Sequence, residues 1–510
     1  MNELKISICQ MSSYVGDLAK NYESIVNYIE KAKENKSDLL VFPYGSLAGL
    51  CIKDLEFSKD FIKKSKYYIE KIKEKTEGIS VLLHCVSEKY EGESIYFFNN
   101  GKEIKEFPVL LQPSYDEDDE NLNFKLKNTT ISVNSLVPSE NINVYILPKV
   151  FAKDNFFEET AKKMHVGKNS TEIYVNPIGF AEGNIFSGGS FAINKGQVVY
   201  RDEMFKDSFN NIVINKEGVK TEKLIPEIRG IESVYKALTF AVKEYVEKSG
   251  FNGVLLGMSG GIDSALVGAL AVDALGAEKV RCLIMPSEYS SFETMADAEK
   301  ICKNLNLKYD IIPISPIVKA YEESLASIFD KLDRDITEEN LQSRIRGTIN
   351  MALSNKFGNI VLVTGNKSEC AVGYCTLYGD TAGSLAVISD LYKHEVYALS
   401  EYINRNKEII PKSIIEREPS AELRPDQKDT DSLPNYDVLD KILNLFIEEG
   451  NSIEDIVKKG FDESIVKQIV NLFYTAQFKR EQYPMGICIT GSSFMKGNLN
   501  DLPLMNKFKV

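Results

Sequence analysis

A stretch rich in glycine and serine, residues 257–265 (GMSGGIDSA), carries residue types that suit the binding of a phosphate. Its glycines leave the backbone bare where the chain must bend and where a ligand must come close. The hydroxyls of Ser259 and Ser264 add hydrogen-bond donors. A helix that begins near Ile262 would direct its unpaired N–H groups at the same place. These features predict an anion-binding turn.

Asp263 adds a carboxylate to this group of anion donors. A carboxylate fits there if Mg²⁺ bridges it to the phosphates, because that ion prefers hard oxygen ligands. The stretch is not a Walker loop, since the GK[ST] ending is missing. The alternative is an ordinary strand-to-helix turn that binds no ligand.

The elements on either side of the turn must position it. The apolar run at residues 253–256 (GVLL) predicts a buried strand, and the run at 266–270 (LVGAL) predicts a helix. Strands and helices then alternate, with strands expected at residues 280–285, 309–313 and 360–363 and helices at 231–249, 294–305 and 337–356. This alternation predicts a doubly wound parallel sheet.

The first half of the chain has a layered α/β pattern. It opens with an alternating strand that includes Ile6, followed by a helical stripe over residues 19–35. Further strands are expected at residues 39–42, 80–86, 94–98, 130–133, 144–147 and 172–176, and a hairpin across residues 194–196. A polar stretch at residues 216–230 resembles a linker. We therefore predict two domains, residues 1–222 and 223–510.

Composition excludes several classes of protein. The formal net charge of −13, from 61 basic and 74 acidic residues, argues against nonspecific nucleic-acid binding. No apolar run approaches the ~20 residues that a membrane-spanning helix needs. The eight cysteines form no CxxC pair and there are only three histidines, which argues against a disulfide framework or a zinc site. A cytoplasmic protein with no membrane or nucleic-acid partner is expected.

The run SGGIDSA at residues 259–265 resembles the PP-loop of ATP pyrophosphatases. Those enzymes cleave ATP between its α and β phosphates and transfer AMP to a carboxylate or carbonyl oxygen. The loop alone does not distinguish NAD synthetases from GMP synthetases, asparagine synthetases or tRNA-thiolating enzymes.

Longer stretches of the second half resemble the synthetase domain of NAD synthetases. They are residues 285–291 (MPSEYSS), 339–397 (ENLQSRIRG to DLYKHEVY), 419–436 (PSAELRPDQKDTDSLPNY) and 479–486 (KREQYPMG). The resemblance implies amidation of deamido-NAD (nicotinic acid adenine dinucleotide) to NAD. ATP and ammonia would be consumed and Mg²⁺ would be bound. The reaction would pass through an adenylated intermediate.

The same resemblance implies roles for individual residues. Asp263 and Glu369 would act in catalysis and bind Mg²⁺, and Lys393 would neutralise charge on the leaving pyrophosphate. ATP would be bound by Gly257, Met258, Ser259, Gly260, Gly261, Ile262, Asp263, Ser264, Thr364, Lys393 and Ser420. Deamido-NAD would be bound by Asn340, Arg344, Glu369 and Lys479. For Arg346 and Lys367 we expect solvent-exposed helix faces.

Patches of the first half resemble the carbon–nitrogen hydrolase domain of nitrilase-type amidases. They are residues 38–50 (DLLVFPYGSLAGL), 109–120 (VLLQPSYDEDDE), 130–136 (TISVNSL) and 176–191 (NPIGFAEGNIFSGGSF). The family uses a Glu base, a Lys that stabilises the oxyanion and a Cys nucleophile. Tyr44, Val109 and Asn134 stand at those positions here. We predict a nitrilase-like α/β sandwich without amidase chemistry.

An amidase-like domain followed by a synthetase domain is the layout of glutamine-dependent NAD synthetases. The substituted positions predict that this chain uses free ammonia, or ammonia from a separate glutaminase, and the resemblance implies a homo-oligomer. Three alternatives stay open: a glutamine-dependent enzyme with an atypical nucleophile, a nucleotide sensor without turnover, and another PP-loop ligase such as a GMP synthetase.

Overall fold

The computed structural model describes residues 3–89, 92–108, 122–135, 141–154, 157–164, 169–221 and 223–494. Two compact units, Met1–Arg229 and Gly230–Val510, make up the chain. This division falls a few residues after the predicted boundary at 222/223. The reason is local: the N–H of Ile225 donates to the carbonyl oxygen of Arg201, which holds this part of the polar segment in the first unit.

The N-terminal unit alternates strands with a few helices. Its strands are β1 (Leu4–Gln10), β2 (Leu39–Val41), β3 (Ser80–Ser87), β4 (Gly92–Asn99), β5 (Lys102–Pro108), β6 (Asn123–Leu126), β7 (Thr129–Val133), β8 (Ile142–Ile146), β9 (Thr171–Val175), β10 (Ile178–Ala181), β11 (Asn184–Ser187), β12 (Phe191–Asn194), β13 (Gln197–Arg201), β14 (Ser208–Asn215) and β15 (Gly218–Lys220). Its α-helices are α1 (Leu18–Glu34), α2 (Lys59–Lys75) and α3 (Phe157–Met164), and Lys53–Phe57 forms a short 3₁₀ helix.

Two large sheets face each other in this unit. Among the described residues one sheet has the order β15-β14-β1-β2-β3-β4-β5 and the other β13-β12-β9-β8-β7-β6. Leu82 of the first sheet and Val144 of the second share one buried core. The next residue, Leu83, points to the opposite face and packs with Ile29 of α1 and Ile72 of α2. The predicted α/β sandwich is confirmed.

The C-terminal unit is richer in helices. Its strands are β16 (Gly253–Gly257), β17 (Val280–Ile284), β18 (Lys308–Ile311), β19 (Asn359–Val363), β20 (Leu385–Ala386) and β21 (Met485–Gly486). Its α-helices are α4 (Gly230–Ser249), α5 (Ile262–Leu275), α6 (Phe292–Asn304), α7 (Ser315–Leu325), α8 (Ile336–Phe357), α9 (Lys367–Val372), α10 (Lys393–Ile403), α11 (Lys412–Glu416), α12 (Tyr436–Leu443), α13 (Ile453–Lys458), α14 (Glu463–Thr475) and α15 (Gln477–Arg480). Ala277–Lys279 and Asp429–Asp431 are 3₁₀ turns, and Asn444–Glu448 is a π-helical turn.

The strands of this unit form a parallel sheet in the order β18-β17-β16-β19-β20-β21. Leu255 packs with Ile345 of α8 on one face. On the other face, the Cδ1 of Leu256 lies 3.8 Å from the Cβ position of Gly268 in α5. Helices therefore cover both faces, which confirms the doubly wound sheet. The strand order reverses between β16 and β19, and such a switch point opens a ligand crevice at the carboxyl ends of the strands.

Helices α12 and α14 pack with α9 in a second core of this unit. Leu439, Phe473 and Ala371 are among its buried members, and Tyr392, which precedes α10, belongs to the same core. This packing fixes the starts of α9 and α10 relative to each other. In the described part of the chain, no helix has the length and apolar character that crossing a membrane requires.

Candidate nucleotide-binding site

The turn predicted to bind phosphate lies between β16 and α5, at the switch point of the sheet. Gly260 has a φ of +85°, and a Cβ at this position would lie 2.2 Å from the carbonyl oxygen of Thr294. Only glycine fits there. Gly261 caps α5 and, among the described residues, no side chain bonds the helix's first N–H groups at this cap. Those N–H groups can therefore bind an anion.

The two serines of the turn stabilise its shape. The hydroxyl oxygens of Ser259 and Ser264 lie 3.0 Å apart, and the N–H of Gly261 donates to the Ser259 hydroxyl over 3.2 Å. The N–H of Met258 donates to the carbonyl oxygen of Leu283, and the Met258 side chain is buried. The side chain of Ile262 is also buried. Main-chain groups and hydroxyls, rather than these apolar side chains, are therefore available to a ligand.

The predicted residues that follow β19 lie next to this turn. Thr364 comes directly after the strand and is partly buried. Asn366 caps α9: its side-chain oxygen accepts the N–H of Glu369, whose carboxylate accepts the Asn366 N–H over 3.1 Å. The Asn366 amide also donates to Oδ1 of Asp263 over 2.9 Å. Asn366 was not predicted, although the N-x-x-E spacing of a capping box is readable in the sequence.

Lys393, the first residue of α10, joins the two predicted carboxylates. Its Nζ lies 2.5 Å from Oδ2 of Asp263 and 3.4 Å from Oε1 of Glu369. Its side chain is only 3% exposed. The structure therefore brings together the three residues assigned to catalysis, from the turn after β16, from α9 after β19 and from the start of α10.

Burial and neighbouring charges set the protonation of this cluster. Burial raises the pKa of Glu369 to about 8; Lys393 opposes this shift, and the carboxylates of Asp263 and Asp429 add to it. Burial alone would lower the pKa of Lys393, but the carboxylates of Asp263 and Glu369 outweigh it and raise that pKa. Lys393 therefore keeps its positive charge, and the surrounding carboxylates favour a further cation.

Asp429 belongs to this acidic cluster and was not predicted individually. Its carboxylate accepts hydrogen bonds from the hydroxyls of Tyr436 (3.0 Å) and Tyr374 (3.2 Å). Burial raises its pKa, while Lys393 lowers it. One indication of its importance was present in the sequence: Asp429 lies within residues 419–436, a stretch that resembles the synthetase domain.

The paired carboxylates of Asp263 and Glu369 suit Mg²⁺. Within the described residues, no group of three or more His, Cys, Asp or Glu side chains is arranged to hold a metal ion. Mg²⁺ commonly takes only one or two carboxylates and completes its shell with water and phosphate oxygens. The residues present therefore fit a magnesium ion that arrives with a nucleotide.

Three residues assigned to the second substrate converge on the segment that follows α9. The Thr376 hydroxyl donates to Oδ1 of Asn340 (2.8 Å), and Nε of Arg344 donates to the carbonyl oxygen of Leu377 (3.2 Å). Nζ of Lys479 donates to the carbonyl oxygens of residues 373 and 375, each over 2.7 Å. Asn340, Arg344 and Lys479 thus surround one segment, and Glu369 lies in the helix before it.

Ser420 is exposed, and its hydroxyl donates to the carbonyl oxygen of Gln427 over 2.5 Å. No hydrogen bond among the described residues joins Ser420 to the phosphate turn. Glu422, two residues later, accepts the Thr294 hydroxyl over 2.7 Å, and Thr294 borders Gly260. The loop that carries Ser420 therefore reaches the neighbourhood of the turn through Glu422.

The expectation of solvent-exposed faces was wrong for Lys367 and Arg346. Lys367 is 0% exposed because Asp390 and Glu448, distant in sequence, each bind its Nζ at 2.6 Å. Arg346 is partly buried because its Nε donates to the carbonyl oxygen of Met285 over 3.0 Å. Burial lowers the pKa of Arg346 to about 10.

In the N-terminal unit, Tyr44 stands where an amidase base is expected. Its side chain is buried, its hydroxyl donates to the carboxylate of Glu93, and its ring centroid lies 4.1 Å from that of His84. Burial and the Glu93 charge raise the pKa of the Tyr44 phenol. A protonated, hydrogen-bonded phenol cannot act as the base. Val109 lies outside the described residues.

Asn134 stands where the nucleophile is expected, directly after β7 and with a φ of +50°. Its Oδ1 accepts the N–H of Ile146 over 2.7 Å, and its Nδ2 donates to the carbonyl oxygen of Ile146 over 3.1 Å. The side chain thus extends the pairing of β7 with β8. Burial raises the pKa of the cysteines of this unit, to about 11 for Cys51 and about 12 for Cys85, which disfavours the reactive thiolate.

His84 makes the stability of this unit sensitive to pH. It is fully buried, accepts the Gly45 N–H at Nδ1 over 3.0 Å, and burial lowers its pKa to about 3. Between pH 7.5 and 5.5 only the unfolded chain binds a proton at this ring, so stability falls as the pH falls. The loss attributable to His84 is about 1.4 kcal/mol.

The variant His84→Asn, whose Oδ1 can accept the same N–H, should lack this loss. Urea unfolding of the full chain at both pH values measures the difference between the two proteins. Burial raises the pKa of Glu93, which adds stability as the pH falls, but Glu93 is present in both proteins. Equal pH dependence of wild type and variant would contradict a neutral His84.

Comparisons with known proteins agree with this layout. Residues 234–483 match the family model described as NAD synthase. The glutamine-dependent NAD(+) synthetase of Acinetobacter baylyi is 36% identical over 527 residues, covering 97% of each chain. The structure of the glutamine-dependent NAD+ synthetase of Acinetobacter baumannii, in complex with ADP, aligns with a TM-score of 0.76 and 32% identity over 98% of both chains. That of Cytophaga hutchinsonii shares the fold, with a TM-score of 0.83, 18% identity and coverage of 99% of this chain and 98% of its own.

Proposed function

This chain belongs to the family of glutamine-dependent NAD(+) synthetases, and on that premise we propose that it amidates deamido-NAD with ammonia rather than with glutamine. It is a ligase that forms a carbon–nitrogen bond. The cluster of Asp263, Glu369 and Lys393 beside the phosphate turn is the observation that carries the proposal. The proposed reaction consumes ATP and yields NAD, AMP and pyrophosphate.

The phosphate turn positions ATP in the proposed mechanism. The first N–H groups of α5 and the bare backbone at Gly260 bind phosphoryl oxygens. Asp263 and Glu369 would hold Mg²⁺, which would supply positive charge to screen the triphosphate. The nicotinate carboxylate of deamido-NAD then attacks the α-phosphorus, and the bond to pyrophosphate breaks. Lys393 stabilises the charge that grows on the departing oxygen, because its ammonium is already fixed in place.

The residues around the segment after α9 bind deamido-NAD. This dinucleotide carries a pyrophosphate and an additional carboxylate, so cationic side chains suit it. Arg344 is exposed and uses its Nε on Leu377, which leaves its other N–H groups for the ligand. Lys479 donates two of its three ammonium N–H groups to main-chain carbonyl oxygens, which leaves the third for the ligand. Ammonia then attacks the adenylated carbonyl carbon, and AMP leaves.

The choice of ammonia rests on the N-terminal unit. Tyr44 and Asn134 stand at two of the three amidase positions, and both side chains are occupied by structural hydrogen bonds. Neither can supply a base or a nucleophile. The relatives are named for their use of glutamine, so this chain would have kept the two-unit layout and lost one of its two reactions.

NAD formation from deamido-NAD, ATP and Mg²⁺ tests the proposal, with ammonium chloride in one reaction and glutamine in another. Ammonium should support synthesis, whereas glutamine should give no more NAD than a reaction without a nitrogen source. Adding an unrelated glutaminase to the glutamine reaction should restore synthesis, since it releases ammonia. Equal rates with glutamine alone would refute the loss of amidase chemistry.

The variant Asp263→Asn is the control for this assay. It should abolish synthesis with either nitrogen source, because the reaction then lacks a magnesium ligand. If the wild-type chain binds ATP but makes no NAD from ammonium, the nucleotide-sensor reading is favoured over the ligase.

A further inference from the structure

One side of α8 carries three polar residues at successive turns, Gln342, Arg346 and Asn350. A spacing of four residues places them in one row along the helix. Arg346 and Asn350 contact the region where the strands end, and Gln342 contacts the loop that carries Ser420 and Glu422. Gln342 donates to the carbonyl oxygen of Leu423 over 2.9 Å, and Arg346 donates to that of Met285, directly after β17. Asn350 Nδ2 lies 3.7 Å from the Cβ position of Gly257, the last residue of β16.

This row holds polar atoms without partners in the described part of the chain. Oε1 of Gln342 and Oδ1 of Asn350 are buried and accept no hydrogen bond there. Gln342 as a whole is 2% exposed. Arg346 donates only through Nε, so its two Nη groups have no acceptor among the described residues. Buried polar groups are almost always hydrogen-bonded, so two exceptions in one row, on either side of an arginine with free Nη groups, indicate a ligand.

Arg346 is also a partly buried cation without an ion-pair partner among the described residues. Glu422 is the carboxylate whose charge acts on it, but that carboxylate already accepts Ser291 N–H (3.2 Å) and the Thr294 hydroxyl (2.7 Å). With a pKa of about 10, the guanidinium is charged at neutral pH. The planar fork of two free Nη groups suits a phosphoryl oxygen.

The row borders the phosphate turn from the side of β17. Met285, whose carbonyl oxygen binds Arg346, has its Cε 3.4 Å from the Cβ position of Gly257. Thr294, which binds Glu422, touches the turn at Gly260. By contrast, the cluster of Asp263, Glu369 and Lys393 adjoins the turn on the side of the residues that follow β19. The two sets therefore face the turn from different sides.

We propose that Arg346 is a further ATP-binding residue whose Nη groups hold a phosphoryl oxygen of the nucleotide. Gln342 and Asn350 lie beside it and offer amide oxygens to hydroxyl or amino groups of the nucleoside. This inference rests on the proposed use of ATP at the turn. It assigns Arg346 and Arg344, two residues apart on one helix, to different substrates.

Binding of ATP alone, without deamido-NAD, tests this assignment by isothermal titration calorimetry with Mg²⁺. Arg346→Gln should raise the Kd for ATP at least tenfold and change the KM for deamido-NAD less than threefold. Arg346→Lys keeps the charge but not the fork and should give an intermediate Kd. Arg344→Gln should raise the KM for deamido-NAD at least tenfold and change the Kd for ATP less than threefold. Lys356→Gln, an exposed cation near the end of the same helix, should change neither constant.

An unchanged Kd for ATP in Arg346→Gln would overturn the inference, as would an equal loss of affinity for both substrates. If Arg346→Gln melts well below the wild type, Arg346→Lys and Asn350→Leu answer the same question. A wild type that binds ATP but makes no NAD would refute the proposed reaction and not this assignment. Wild-type NAD synthesis with ATP affinity insensitive to Arg346 would refute this inference alone.

Discussion

Replacing Lys393 by Met is expected to lower the rate of NAD formation about 10²–10³-fold. Nζ of Lys393 is held 2.5 Å from Asp263 and 3.4 Å from Glu369, so its charge is oriented before ATP binds. A fixed charge at the position where negative charge develops contributes most when water is excluded, and the side chain is 3% exposed. The single-turnover rate at saturating substrates measures this loss.

The same substitution should also destabilise the C-terminal unit by about 1–3 kcal/mol, because it leaves two partly buried carboxylates, 19% and 17% exposed, without their cation. This allows catalysis and stability to be separated. The double variant Lys393→Met, Asp263→Asn also removes one of the two carboxylates and should regain part of the stability; it stays inactive in any case, because Asp263→Asn alone should abolish synthesis. Lys412→Met, an exposed lysine at the start of α11, is the control. A single-turnover rate of Lys393→Met within about threefold of the wild type, together with the expected loss of stability, would show that Lys393 is only structural.

The elements around the site were predictable because their signals are local. An apolar run, a glycine-rich turn and a second apolar run predicted β16, the turn and α5, and the alternation that follows predicted the parallel sheet. The hairpin of β12 and β13 was predicted for the same reason and is confirmed: it turns at Lys195 and Gly196, both with positive φ. The roles predicted for Asp263, Glu369 and Lys393 rest on resemblance, and only the fold shows that the three side chains converge.

Features that depend on distant partners were not predicted. Strand β14 pairs antiparallel with β1 across about two hundred residues, and its sequence (SFNNIVIN) is half polar. Strand formation there depends on the neighbouring strand rather than on propensity. The hydrogen bond of Asn366 joins it to Asp263, 103 positions away. The burial of Lys367 could not be predicted either, because the carboxylates that neutralise it belong to Asp390 and Glu448, which are distant in the sequence.

Lys367 gives the second large expected effect, and it is an effect on stability. Asp390 accepts Lys367 Nζ at 2.6 Å and also the N–H groups of Ile489 (2.7 Å) and Thr490 (2.8 Å). The pair thus connects α9 to the segment that follows β21. Lys367→Met should lower the free energy of unfolding by about 3–5 kcal/mol, because the carboxylate of Asp390 loses its cation while 3% exposed.

Urea unfolding followed by circular dichroism measures this loss, and the double variant Lys367→Met, Asp390→Asn should recover part of it. Activity provides the second measurement. Lys367 precedes Glu369 by two residues in α9, so a shift of this helix should lower kcat while the Kd for ATP changes little. A stability loss below about 1 kcal/mol is typical of solvated ion pairs and would contradict a buried pair. A large loss of stability with unchanged kcat would show that the pair supports the fold without positioning Glu369.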